Sequence, residues 1–258
     1  MIGRAVMRRG LVAACAVLAV SSSAVACSSD DSGGGKTELN VYAAASLQKT
    51  FTQLADLYEK AHSNVDVKLN FAGSSALVNQ IKQGASADVI ATADQPTMAK
   101  LGDDAVDPKI FATNTLVIAT AEGNPKNITD FASLRNPGIK TVVCAVEVPC
   151  GAATATVEKN TGVELSPVSE EASVTAVLTK VTTGQADAGL VYVTDAKGAG
   201  DKISVVGDPA FAKVVNKYPI ATLKDTKHKQ DADMFVSMVL GQTGAEVLSA
   251  AGFQPGTA

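Results

Sequence analysis

The 258-residue sequence is poor in the side chains that most often carry chemistry. It has two histidines, no tryptophan, and four arginines, of which only Arg135 lies beyond residue 9. His62 and His228 are isolated, read as surface residues, and neither sits in a recognisable triad setting. No Gly-x-Ser-x-Gly elbow frames a serine, which argues against a hydrolase. Two thiols without a nearby histidine make a poor ligand set, which argues against a metal centre. No basic block survives outside the first ten residues, which argues against a nucleic-acid partner. The apolar run Leu11–Val20 is too short for an ordinary membrane span. With arginine so scarce, an anion site would have to use neutral donors or Arg135 itself. What is present, 46% hydrophobic and 19% charged residues, excludes a disordered chain. The length fits one large α/β domain or two lobes.

Residues 1–26 read as an export signal: Arg4, Arg8 and Arg9, then the apolar run, then small residues. Ala24-Val25-Ala26-Cys27 resembles the bacterial lipobox, in which the cysteine is lipidated and becomes the new N-terminus. Plain cleavage with Cys27 as a free thiol is the alternative. Residues 27–36, rich in serine and glycine, read as a flexible tether. Removing residues 1–26 takes away three arginines and no acid, so 22 basic and 26 acidic residues become 19 and 26, a net charge of −7.

Strand-like and helix-like patterns alternate through the body. Leu39–Ala44 reads as a strand, and Leu47, Phe51, Leu54 and Tyr58 recur at helical spacing. Val65, Val67, Leu69 and Phe71 alternate as a half-buried strand does. Val174, Val177, Leu178 and Val181 form a helical stripe, and Ala188–Val193 a buried strand. Such alternation predicts mostly parallel sheets covered by helices. The extended pieces Thr113–Ala119 and Tyr218–Leu223 are candidate crossings between two lobes. That predicts lobe one from residues 37–114, lobe two from residues 115–217, and residues 218–258 returning to complete lobe one, an arrangement suited to a two-strand hinge.

Four predicted strand-to-helix junctions share small residues: Ala43-Ala44-Ala45-Ser46, Phe71-Ala72-Gly73-Ser74-Ser75, Val148-Pro149-Cys150-Gly151 and Glu171-Ala172-Ser173-Val174. A helix start exposes unpaired N–H groups and partial positive charge, and so favours an anion. Small side chains let a ligand approach the backbone, and Ser46 and Ser74 add hydroxyls. In open α/β sheets ligands sit outside the carboxyl ends of the strands. Each residue alone also fits a plainer role. A serine at a helix start is commonly an N-cap, and a buried tyrosine such as Tyr192 commonly bonds to a nearby carbonyl. Asp88 and Asp94 read as turn-bracing caps, since a carboxylate at the cleft would repel an anion.

Four motifs in order carry a family resemblance: Val41-Tyr42-Ala43-Ala44-Ala45-Ser46-Leu47, Phe71-Ala72-Gly73-Ser74-Ser75, Ala87-Asp88-Val89-Ile90-Ala91-Thr92-Ala93-Asp94-Gln95 and Gly189-Leu190-Val191-Tyr192. From about Leu39 to Phe253 the chain resembles the molybdate-binding proteins of ABC importers. The resemblance implies an α/β, two-lobed periplasmic-binding-protein fold of type II, which closes on its ligand. It implies a binding protein, not an enzyme, with no cofactor, whose ligand is molybdate or tungstate and whose partner is a membrane permease. Sulfate or another small oxyanion is the alternative ligand. The implied ligand donors are the Ser46 and Ser74 hydroxyls, the Cys150 and Val174 main-chain amides and the Tyr192 hydroxyl. At Cys150 the resemblance leads one to expect alanine, a departure that matters little for a backbone donor. In an exported protein Cys144 and Cys150 are expected to form a disulfide, with two buried thiols the alternative. The expected form is a monomer, anchored by lipid to the outer face of the cytoplasmic membrane.

Overall fold

The computed structural model describes residues 35–256. The signal segment 1–26, Cys27 and most of the tether lie outside the described residues.

The chain lays down β1 (Thr37–Ala44), α1 (Gln48–Ala61), β2 (Val65–Ala72), α2 (Ser74–Lys82), β3 (Val89–Ala91), α3 (Gln95–Ala99) and β4 (Ala105–Asn114). It continues with β5 (Leu116–Ala121), β6 (Thr141–Cys144), α4 (Pro149–Thr161), β7 (Ser169–Glu171), α5 (Val174–Thr182), β8 (Ala188–Tyr192), α6 (Val193–Ala199) and β9 (Ile203–Val206). It closes with β10 (Asn216–Leu223), α7 (Lys229–Leu240), α8 (Gln242–Ala251) and β11 (Gln254–Pro255). Two sheets result, in the orders β11-β4-β10-β3-β1-β2 and β7-β6-β8-β5-β9. We call them the sheets of lobe one and lobe two.

Period-two burial explains the strands of lobe one. In β3, Val89 and Ala91 face one apolar cluster with Phe51, Leu54 and Phe235, while Ile90 faces a second with Leu77, Val78 and Met98. Helices therefore cover both faces, and a strand buried on both sides loses its polar alternation. The helical stripe of α1 is fully buried at Phe51, Leu54 and Tyr58. The C-terminal helices close over the same face: the Phe235 ring of α7 lies 5.4 Å from Tyr58 and 6.2 Å from Phe51. Burying each such ring contributes roughly 1.5–3 kcal/mol. In lobe two, β8 is central and buried throughout. Gly189 within it admits α5 closely, since a Cβ there would lie 2.6 Å from Val177 Cγ1.

Two expectations are corrected. The sheets are mixed, not mostly parallel. Only β2-β1-β3 and β7-β6-β8 run parallel, and β10, β4, β11, β5 and β9 pair antiparallel with their neighbours. The parallel strands are those joined through helices. Of the antiparallel ones, β4, β5, β9 and β10 adjoin the two places where the chain passes between sheets, and β11 follows α8. The second passage is not Tyr218–Leu223. β10 begins at Asn216, paired with Asn114, and lies wholly within the sheet of lobe one. The chain returns through residues 207–215. The first passage is abrupt, with only Thr115 between β4 and β5.

Candidate ligand-binding site

The carboxyl ends of the parallel strands from both lobes meet at one small cavity of about 20 Å³. All five expected donors, Ser46, Ser74, Cys150, Val174 and Tyr192, line it, with Ala93, Gly73 and Val148 among the others. Among the described residues no charged side chain lines it. Its size suits an inorganic ion, far below the several hundred Å³ of sites for larger ligands.

The lobes are shut over this cavity. Gly73 lies so near lobe two that a Cβ there would be 2.1 Å from the Ala172 carbonyl oxygen. Ser75 Oγ donates to the Glu147 carbonyl, and Lys49 Nζ donates to the Gly198 carbonyl. Lys197 Nζ reaches back to the Ala250 carbonyl at 2.8 Å.

Each expected donor is positioned differently. Ser74 opens α2 and is 1% exposed. Its Oγ accepts the Ala93 N–H at 3.0 Å, which leaves its own proton for the cavity. Ser46 sits in the short 3-10 turn before α1, its Oγ 3.1 Å from the Tyr218 hydroxyl. Cys150 is the second residue of α4 and Val174 the first of α5, positions whose N–H groups have no partner inside the helix. Ser173, not Val174, supplies the cap of α5, accepting the Ala176 N–H at 3.3 Å.

Tyr192 ends β8, 1% exposed, and among the described residues its hydroxyl meets no hydrogen-bond partner. The plainer role, a bond from a buried tyrosine to a nearby carbonyl, is not taken here. Burial, helped by Tyr218 and Asp195, holds its phenol well above the ordinary range, so it stays a donor. Its backbone N–H donates to Asp195 Oδ2 at 3.1 Å, and burial pushes the Asp195 carboxyl up to about 7.

Cys144 at the end of β6 and Cys150 are bonded, Sγ–Sγ 2.07 Å with Cα atoms 5.6 Å apart. The bridge closes the loop that carries the Cys150 amide. The chain inside is folded tightly: a Cβ on Gly151 would lie 1.9 Å from the Ala145 carbonyl oxygen.

The remaining candidates lie elsewhere. Asp94 caps α3, accepting the Thr97 N–H at 2.8 Å, and Asp88 accepts the Asn40 N–H at 2.7 Å. The histidines are not isolated. His62 stacks on Tyr58 with centroids 4.2 Å apart, and His228 Nδ1 lies 3.4 Å from Asp88 Oδ1. Chain separations of 4 and 140 residues explain the difference: the first pair is one helical turn apart, and the second is joined only by the fold. Sequence reasoning missed the partners of the two serines. Tyr218 lies 172 residues from Ser46, and Ala93 contributes only its backbone.

A sequence profile of the bacterial extracellular solute-binding proteins matches residues 39–254. The chain belongs to that family. Among its relatives, the molybdate-binding protein ModA of Mycobacterium tuberculosis strain H37Rv is 49% identical over 250 residues, 95% of this chain and 96% of the relative. ModA of Escherichia coli K12 is 29% identical, over 84% of this chain and 88% of that relative. The solved structure of the Azotobacter vinelandii periplasmic molybdate-binding protein matches with a TM-score of 0.74 at 23% identity, covering 85% of this chain and all of that one. This solute-binding protein thus shares its fold with that structure, and the cavity lies between its two sheets.

Proposed function

We propose that this solute-binding protein captures molybdate, and tungstate with it, through neutral hydrogen bonds from both lobes, and delivers the ion to an ABC importer in the membrane. The observation that carries the reading is the Tyr192 hydroxyl, buried and without a partner among the described residues, beside two serine hydroxyls and two helix-start residues. The names of the relatives point the same way.

Selectivity follows from the donor set. A fully deprotonated oxyanion meets only donors. Monohydrogen phosphate brings a proton that finds no acceptor, and burying that mismatch is costly. Neutral donors also avoid the desolvation that a buried arginine or lysine would suffer. The acidic surface does not oppose this, since its field is screened over roughly 8 Å at physiological ionic strength. Size separates the remaining ions. Sulfate is a smaller tetrahedron, and in a cavity fitted to molybdate it stretches the same bonds, each worth roughly 1.5–3 kcal/mol to a charged group. Tungstate nearly matches molybdate in size.

Cys27 as a lipid anchor, a monomeric state and a permease partner complete the reading. Replacing Cys27 by Ser should release the protein from the membrane fraction. Calorimetry with molybdate, tungstate, sulfate and phosphate tests the ligand: tight binding of the first two and weak binding of the others is expected. Sulfate bound as tightly as molybdate would defeat the assignment in favour of a sulfate carrier.

A further inference from the structure

A serine hydroxyl has one proton and two lone pairs, and it rotates to suit its surroundings. In a pocket meant to offer only donors this freedom is a weakness. A serine that turns its lone pair inward accepts the proton of hydrogen phosphate. Ser74 is held against this by the Ala93 N–H, which occupies its oxygen from behind.

Ser46 has no backbone N–H behind its oxygen; the Tyr218 hydroxyl lies there, at 3.1 Å. Tyr218 is fully buried in β10. Its ring is wedged edge-on against Tyr192 at 5.9 Å, Phe253 at 5.3 Å and Phe111 at 6.3 Å, so it cannot swing away. The polarity of the bond follows from its surroundings. If Ser46 donated, the Tyr218 proton would need another acceptor. The neighbouring Asn114 gives its Nδ2 to Thr194 Oγ1 at 2.8 Å and already takes the Thr115 N–H on Oδ1 at 3.0 Å. The Tyr192 hydroxyl makes no hydrogen bond. Ser46, at the cavity wall, can spend its proton on the ligand, which leaves its oxygen, 3.1 Å away, to accept the proton of Tyr218. Burial holds the Tyr218 phenol far above the ordinary range, so that proton is always present.

We propose that Tyr218 is a positioning residue of the ligand site: its hydroxyl donates to Ser46 Oγ and thereby turns the Ser46 proton into the cavity, which excludes oxyanions that carry a proton. The inference rests on the reading of Ser46 as a ligand donor. Lobe one then uses one device twice, a donor behind each serine, once from the backbone and once from a side chain.

The test is a double-mutant cycle read by calorimetry at pH 8, with molybdate and hydrogen phosphate as probes. Its members are the full-length protein, Tyr218→Phe, Ser46→Ala and the double variant, with ligand-free melting of each as a control. Phe keeps the ring and its edge-on contacts. Tyr218→Phe should weaken molybdate binding about five- to tenfold and narrow the molybdate-to-phosphate ratio by at least about tenfold. In the Ser46→Ala background the same change should alter neither by more than about twofold, because the residue it acts through is gone. Equal losses in both backgrounds would make Tyr218 a packing residue and overturn the proposal. So would an unchanged ratio in Tyr218→Phe while Ser46→Ala weakens binding. If Ser46→Ala binds molybdate as the parent does, Ser46 is not a ligand donor; that result fails the reading of the site itself and the proposal with it.

Discussion

In the proposed site the two lobes bring different kinds of donor to the cavity. Lobe one offers serine hydroxyls, which rotate, and each is backed by a second donor, Ala93 N–H or Tyr218 hydroxyl. Lobe two offers helix-start amides, which cannot rotate, and one tyrosine hydroxyl with no partner. A hydroxyl must be oriented from behind, whereas an amide needs only a loop of the right shape. In lobe two that shape comes from a strand-to-helix turn at Val174 and from the disulfide at Cys150.

The sharpest way to break this comparison is to delete one amide. Val174 is the first residue of α5, where proline is tolerated because its N–H has no helical partner. Ser173 before it is already extended, at φ −158° and ψ 157°, as a residue preceding proline should be. Val174→Pro should therefore keep the fold and cost about 1.5–3 kcal/mol of binding, roughly a ten- to hundredfold loss by calorimetry. An unchanged affinity would remove that amide from the site.

Removing a hydroxyl should cost a similar amount but differ in its effect on the free protein. Ser74→Ala orphans the buried Ala93 N–H and should lower ligand-free stability by about 1–3 kcal/mol as well as weaken binding. Tyr192→Phe removes a hydroxyl that has no partner to lose. Its ligand-free melting temperature should stay level or rise while affinity falls about tenfold or more. A destabilised Tyr192→Phe would contradict the unpartnered state.

Opening the disulfide tests the loop alone. Closing so short a loop is worth about 2 kcal/mol in the chain-entropy account. Reduction, or replacement of Cys144 and Cys150 by Ala, should lower stability by that order and weaken binding by only a few fold, since the Cys150 N–H survives. Equal affinity before and after would show that the helix start holds the amide unaided.

A further effect concerns pH. Asp195, which accepts the Tyr192 N–H, has a carboxyl raised to about 7 from the ordinary 3.8. Between those values the folded protein binds more protons than the unfolded chain, so its contribution to stability is present at low pH and is lost as pH rises toward 7. Asp195→Asn should flatten that part of a melting-temperature profile. An unchanged slope would mean the carboxyl is not raised.

One-sided patterns made much of the fold legible. The α1 stripe of Phe51, Leu54 and Tyr58, the buried run of β8 and the repeated strand-helix order each bury a face that the spacing reveals. β4 was not legible. Its residues 106–109 are exposed, Pro108 interrupts it and Asp107 takes a left-handed φ of 44°, so no alternation shows. β10 read as a passage between lobes because an antiparallel strand buried on both faces has no polar rhythm. At the site, the junction residues were visible as types, but their convergence depends on two sheets meeting. Of the supports behind them, Asp195 stands three residues after Tyr192 at a capping-box spacing, whereas Tyr218 and Ala93 depend on contacts that no spacing encodes.

The most direct measurement is a crystal structure of the protein grown with molybdate, with the metal located by its anomalous signal. The account predicts molybdenum between the two sheets, its oxygens about 2.7–3.2 Å from Ser46 Oγ, Ser74 Oγ, Cys150 N, Val174 N and the Tyr192 hydroxyl. Molybdenum elsewhere, or held there by a lysine or by Arg135, would contradict it.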